Sequence, residues 1–188
     1  MKRNKSLLFA AALVMLSPLT GQAEDINVDF TATVLATTCS MSIAALDGST
    51  VTGNASSGYT LAFGDVGMDK INQKTAESQK NFKFVASECS ASMTSITTTL
   101  ASSQSAQGNY TKNESTDADA AANVGMGFKR KSTSGESYLT PGSGKINWTT
   151  QERSANELEM TVALRELTEG AGVMGPFSAK ATFNFTYQ

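Results

Sequence analysis

The chain has no histidine, two cysteines in 188 residues, and no long apolar run. Without histidine there can be no Ser-His-Asp arrangement and no Cys-His pair. Two cysteines without histidine also fall short of the usual zinc sets. The longest apolar stretch runs from Leu7 to Leu16, about half of the roughly 20 residues needed to cross a bilayer. No segment keeps a helical period over three turns, and no acidic cluster suggests general acid chemistry in an enclosed site. These absences argue against an enzyme, a metal or other cofactor, and a helical fold.

What is present begins with an export signal. Met1-Lys2-Arg3-Asn4-Lys5 is basic, Leu7–Leu16 is apolar, and Gly21 and Ala23 supply small residues for cleavage. Residues 1–23 are expected to be removed after Ala23. Losing Lys2, Arg3 and Lys5 leaves 12 basic against 17 acidic residues, a formal charge of −5. That balance disfavours nucleic acid as a partner. The remaining 165 residues suit one domain. Both cysteines, Cys39 and Cys89, lie in the exported part, where an oxidising compartment favours one disulfide. It would close a loop of about 50 residues, stabilising by roughly 4 kcal/mol in the loop-entropy account.

Alternation of apolar and polar residues then marks out strands. Directly behind the expected cleavage site, Ile26, Val28, Phe30, Ala32 and Val34 fall at every second position, with polar residues between them. Further rows are Cys39-Met41-Ile43, Tyr59-Leu61-Phe63, Phe82-Phe84-Ala86, Ile96-Thr98-Leu100, Val124-Met126-Phe128, Ile146-Trp148 and Leu158-Met160-Val162-Leu164. The last is Phe177-Ala179-Ala181-Phe183-Phe185-Tyr187. Residues 45–58 read as a turn region with at most a short strand at Val51, 101–123 as an exposed loop, and 132–144 as a loop with a turn at Pro141-Gly142. Residues 68–79 could hold a helical turn. About eight short strands separated by Gly, Ser and Asn turns describe an antiparallel β-sandwich, with a closed barrel as the alternative.

Several local motifs read as structural. The triplets at Asn109, Asn113, Asn147 and Asn184 match the glycosylation pattern, but a chain this rich in Ser and Thr yields such matches by chance. Gly125-Met126-Gly127 precedes no helix, so it is no phosphate cradle. Lys129-Arg130-Lys131 reads as a solvated turn, and Glu157 and Glu159 as a solvated face.

Taken in order, these pieces resemble the pilin subunits of chaperone–usher fimbriae, the type 1 pilus family. The resemblance rests on the signal, the short alternating extension, and a Cys about fifteen residues into the exported chain. It continues with the second Cys ending the strand Phe82–Cys89, Leu61-Ala62-Phe63-Gly64-Asp65-Val66 between them, and Asn123-Val124-Gly125-Met126-Gly127-Phe128. It closes with Gly172–Gly175 and the ending Ala181–Gln188 with its penultimate Tyr.

The resemblance implies an immunoglobulin-like sandwich lacking its last strand. It implies residues 24–34 as a donor-strand extension merging into the first strand near Phe30, and 35–188 as the pilin domain. Ile26, Val28, Phe30, Ala32 and Val34 would be the donor row. Phe183, Phe185 and Tyr187 would line the acceptor groove and meet a periplasmic chaperone. The implied partners are that chaperone, an outer-membrane usher and other pilin subunits. The implied place is the cell surface, reached through the periplasm, in a fimbrium that supports adhesion. The short extension leans towards a minor or adaptor subunit; a major shaft subunit and a self-complete secreted β-sandwich are the alternatives. Every sheet edge completed from within, together with the leading segment folded back into its own core, is the observation that would end the case for a donated strand.

Overall fold

A computed structural model describes residues 25–34, as backbone, and 39–188; the expected signal at 1–23 lies outside the described residues. In chain order the strands are β1 (Asp25–Val34), β2 (Ser40–Leu46), β3 (Thr50–Asn54), β4 (Gly58–Asp65), β5 (Gln79–Ser87) and β6 (Ile96–Leu100). They continue with β7 (Ala106–Gln107), β8 (Tyr110–Lys112), β9 (Val124–Arg130), β10 (Lys145–Asn147), β11 (Glu157–Glu166) and β12 (Phe177–Tyr187). Two short helices, α1 (Met68–Asn72) and α2 (Thr150–Ala155), sit in connections. The strands form two sheets, ordered β10-β6-β12-β1-β4-β3 and β2-β5-β11-β9-β8-β7.

The alternating rows are what bring the sheets together. Leu158, Met160, Val162 and Leu164 of β11 are buried, as are Phe177, Ala179, Ala181, Phe183 and Phe185 of β12. Phe183 packs edge-on against Phe84 at 4.9 Å and Phe128 at 5.0 Å, and Phe84 meets Phe185 at 5.1 Å. Edge-to-face pairs of this kind add to the area they bury, so this aromatic cluster joins the two inner faces. Cys39 and Cys89 form the expected disulfide, tying the start of β2 to the segment after β5. Trp148 is buried and its indole N–H donates to Thr98 Oγ1 at 2.8 Å.

In the single chain β1 lies inside the first sheet, parallel to β12 and antiparallel to β4. Its ladder with β12 runs unbroken from Ile26 to Val34, and its ladder with β4 ends at Phe30. Two expectations need correction. Residues 101–123 are not simply an exposed loop. They contain β7 and β8, and Thr111 is buried. The basic triplet is not a solvated turn: Lys129 and Arg130 belong to β9, and all three are engaged. Lys129 donates to the Gly135 carbonyl, Arg130 pairs with Glu152 at 2.9 Å, and Lys131 pairs with Asp47 at 2.9 Å and Glu159 at 3.2 Å. Neighbouring strands and loops supplied these partners, which a linear charge pattern does not contain.

Tether length explains the direction of β1. Val34 is registered with Phe185, and Cys39 lies near the same end of β12, its carbonyl accepting from the Tyr187 hydroxyl at 3.5 Å. Five Cα steps join Val34 to Cys39, a reach of at most about 18 Å. A reversed β1 would put Val34 beside Phe177, eight residues or roughly 26 Å farther along β12. The chain's own leading segment can therefore enter this place only parallel to β12.

Candidate functional site

β1 fills a slot between β12 and β4 in the first sheet. Without β1, the facing edges of β4 and β12 have no partner between them in the observed sheet order. The far edge of β12 pairs with β6 only over Phe183–Tyr187. Earlier along that far edge, loop residues take over: Glu114 N donates to Ser178 O at 2.7 Å and Ala101 N to Thr182 O at 2.8 Å. The near edge, by contrast, relies on β1 for all nine paired residues from Phe177 to Phe185. Unpaired backbone groups along an apolar-faced strand are costly and sticky.

The walls of the slot are apolar. Tyr59, Leu61 and Phe63 of β4 are buried, as is the inward row of β12. Register sets Ile26, Val28, Phe30, Ala32 and Val34 beside Phe177, Ala179, Ala181, Phe183 and Phe185 in turn. The two alanines of β12 fall at the positions of Val28 and Phe30, whereas Ala32 falls at Phe183. On the β4 side the register shifts between Ile26 and Asn27, and Val28 and Phe30 then pair with Leu61 and Tyr59.

Of the expected groove residues, Phe183 and Phe185 lie along this wall and are fully buried in the core. Tyr187 lies two residues beyond the β1 ladder and is half-buried; burial pushes its phenol up to about 12. Ala179, Ala181, Leu61 and Tyr59 were not among the expected groove residues, yet they form its middle. Their alternation was readable, but which strands would face each other across one missing strand was not.

A second polar cluster lies away from the slot, against the outer face of β9 and β11. The Arg165 guanidinium, 2% exposed, donates to both carboxylate oxygens of Glu136, to Ser78 Oγ at 2.9 Å and to its neighbour Leu164 O at 2.7 Å. Arg165 holds the Glu136 carboxyl below its ordinary range. Burial pushes the Tyr138 phenol up, and its ring lies 5.8 Å from the Arg165 guanidinium. The Tyr110 and Tyr138 rings lie so close over Gly127 that a Cβ there would meet them at 2.9 Å. The cluster clamps the 131–144 loop onto the sheet, with Arg165 and the Tyr138 hydroxyl both donating to Glu136. Among the described residues no group of three His, Cys, Asp or Glu could hold a metal ion, and no helix is long and apolar enough to cross a membrane.

Comparison with known proteins adds three findings. A family model described as "Fimbrial protein" matches residues 28–188. A protein of Escherichia coli (strain K12), described as the uncharacterized fimbrial-like protein YadM, is 46% identical over 179 residues, covering 93% of each chain. Among solved structures, the P pilus rod subunit PapA aligns with a TM-score of 0.48 at 15% identity, covering 67% of this chain and 83% of that one.

Proposed function

Because this chain belongs to the fimbrial protein family, and so is a structural subunit of a surface fimbrium, we propose that it polymerises by donating its leading strand to a neighbour and accepting another's in return. The supporting observation is that the strand between β4 and β12 is the chain's leading segment, β1. In a fibre it would be the same residues of the next subunit, with Ile26, Val28, Phe30, Ala32 and Val34 as the donor row. Removal of residues 1–23 would leave this strand at a free end. During export, a periplasmic chaperone would cover the slot, with Phe183, Phe185 and Tyr187 along its face, until an outer-membrane usher exchanges it. The role is structural and adhesive, without catalysis, and the short extension favours a minor or adaptor subunit.

The drive for exchange has a physical source. Inside its own chain, β1 must pair parallel with β12 over nine residues and antiparallel with β4 over six. Parallel pairing is slightly less stable per residue. A strand from another molecule has no such tether and can reverse, making the longer ladder antiparallel.

The placement of β1 also favours a second reading, in which the molecule is a self-complete β-sandwich that works as a monomer. The two readings part in one experiment. Purified chain lacking residues 1–23 is mixed with a fluorescent peptide of residues 24–34. Slow uptake of the peptide, and suppression of fibre growth by it, is the expected result. A stable monomer that neither takes up the peptide nor polymerises supports the second reading and removes the first.

A further inference from the structure

Among the described residues, the large apolar side chains exposed to solvent are Val173 and Met174, at 54% and 66%. They adjoin each other in the connection from β11 to β12, three residues before β12 begins. The loop that carries them is firmly held. Val173 and Ala122 exchange both backbone hydrogen bonds, at 2.9 and 3.2 Å. Glu166 accepts from Gly170 N at 3.0 Å and Gly172 N at 2.8 Å. Pro176 O accepts from Ala121 N and from Asn113 Nδ2. Gly175 has φ 153° and approaches Asp119 O so closely that a Cβ would sit 1.9 Å from it. The apolar pair is thus presented on a fixed platform, at the Phe177 end of the slot.

Resting on the strand-exchange reading, we propose that Val173 and Met174 are the seat for the body of a second copy of this chain, which rests on them with its Met93–Tyr187 end. The argument is geometric. A donor's body must lie where its strand leaves the slot. The donor's leading segment is rooted at its own Cys39, beside its Tyr187 hydroxyl. The Met93 loop lies at that same end, since Thr94 Oγ1 donates to Gln188 O at 3.0 Å and Gln188 N to Ser95 O at 3.2 Å. If the donor strand ran as β1 does, the donor's body would collide with the recipient's own Cys39 end, from which the recipient's leading segment must also depart. Running the other way, the donor's body arrives at the Phe177 end, where Val173 and Met174 stand exposed. Met93, Cys89 and Tyr187 are partly buried apolar groups packed at the rim of the opposite end. The two ends are separated by the length of β12, roughly 33 Å. A contact between unlike ends of one molecule is heterologous, and wherever its rotation closes no ring it propagates as a filament.

The test uses chain lacking only residues 1–23. A photoreactive benzoylphenylalanine at position 174 is expected to cross-link, in fibres, to residues 88–95 or 187–188 of another copy. Cross-links confined to its own chain, or to a different face, overturn the contact. In parallel, Val173→Ser with Met174→Lys is expected to slow fibre elongation about tenfold while leaving uptake of the 24–34 peptide unchanged. Unchanged elongation overturns the contact and leaves strand exchange standing. Impaired peptide uptake overturns it too, by making the loop part of the slot. If the unsubstituted chain takes up no peptide at all, strand exchange itself fails, and this inference falls with it.

Discussion

At the scale of single residues, Arg165 carries the least expected chemistry. A fully buried guanidinium near the end of β11 survives because Glu136, Ser78 and a backbone carbonyl surround it. Removing one partner of such a pair leaves an uncompensated charge, which costs more than the pair itself stabilises. Glu136 makes the pair pH-sensitive. Its carboxyl is held below the ordinary value of 4.5, chiefly by the hydrogen bond from Arg165. The stability it contributes is therefore complete above about that pH and is lost as pH falls through its lower folded value. Glu136→Gln should lower the urea midpoint at pH 7 and flatten the loss of stability between pH 5 and 2. Identical acid slopes for the two proteins would remove Glu136 from the account.

Among elements, α2 begins on a local signal. Thr149 and Glu152 form a reciprocal capping box: the Thr149 side chain accepts from Glu152 N at 3.2 Å and Glu152 accepts from Thr149 N at 2.7 Å. The spacing is a recognisable helix start. Only six residues follow it, too few to show a helical period. Thr149→Ala should cost about 1 kcal/mol, read as a shift in the denaturation midpoint, with fibre formation unaffected. β1 is the other telling element. On the strand-exchange proposal, Phe30→Asp should abolish fibres while a chaperone pull-down still succeeds, because a chaperone would meet the slot rather than the strand that fills it. Loss of chaperone binding as well would make Phe30 part of the subunit's own core.

For the molecule as a whole, the disulfide and the slot together set stability. Cys39–Cys89 spans 50 positions and anchors the end of the sandwich where the leading segment is rooted. Replacing both cysteines by serine should cost roughly 4 kcal/mol. It should also loosen the root of β1, so peptide uptake should speed up as thermal stability falls; slower uptake would separate the two effects.

The alternating rows, the pair of cysteines and the turn-rich connections point to an all-β chain, a sandwich ahead of a barrel, with one disulfide, because face and burial follow from a period of two within a strand. Alternation says nothing about which strand lies beside which, since pairing is settled by contacts between distant parts of the chain. The tertiary structure alone decided that β12 needs a partner between itself and β4. It also decided that the chain's own leading strand supplies one, in the direction a five-step tether permits. The burial of Arg165 was decided there too, because the loop that shields its charge is contributed by residues some thirty positions away.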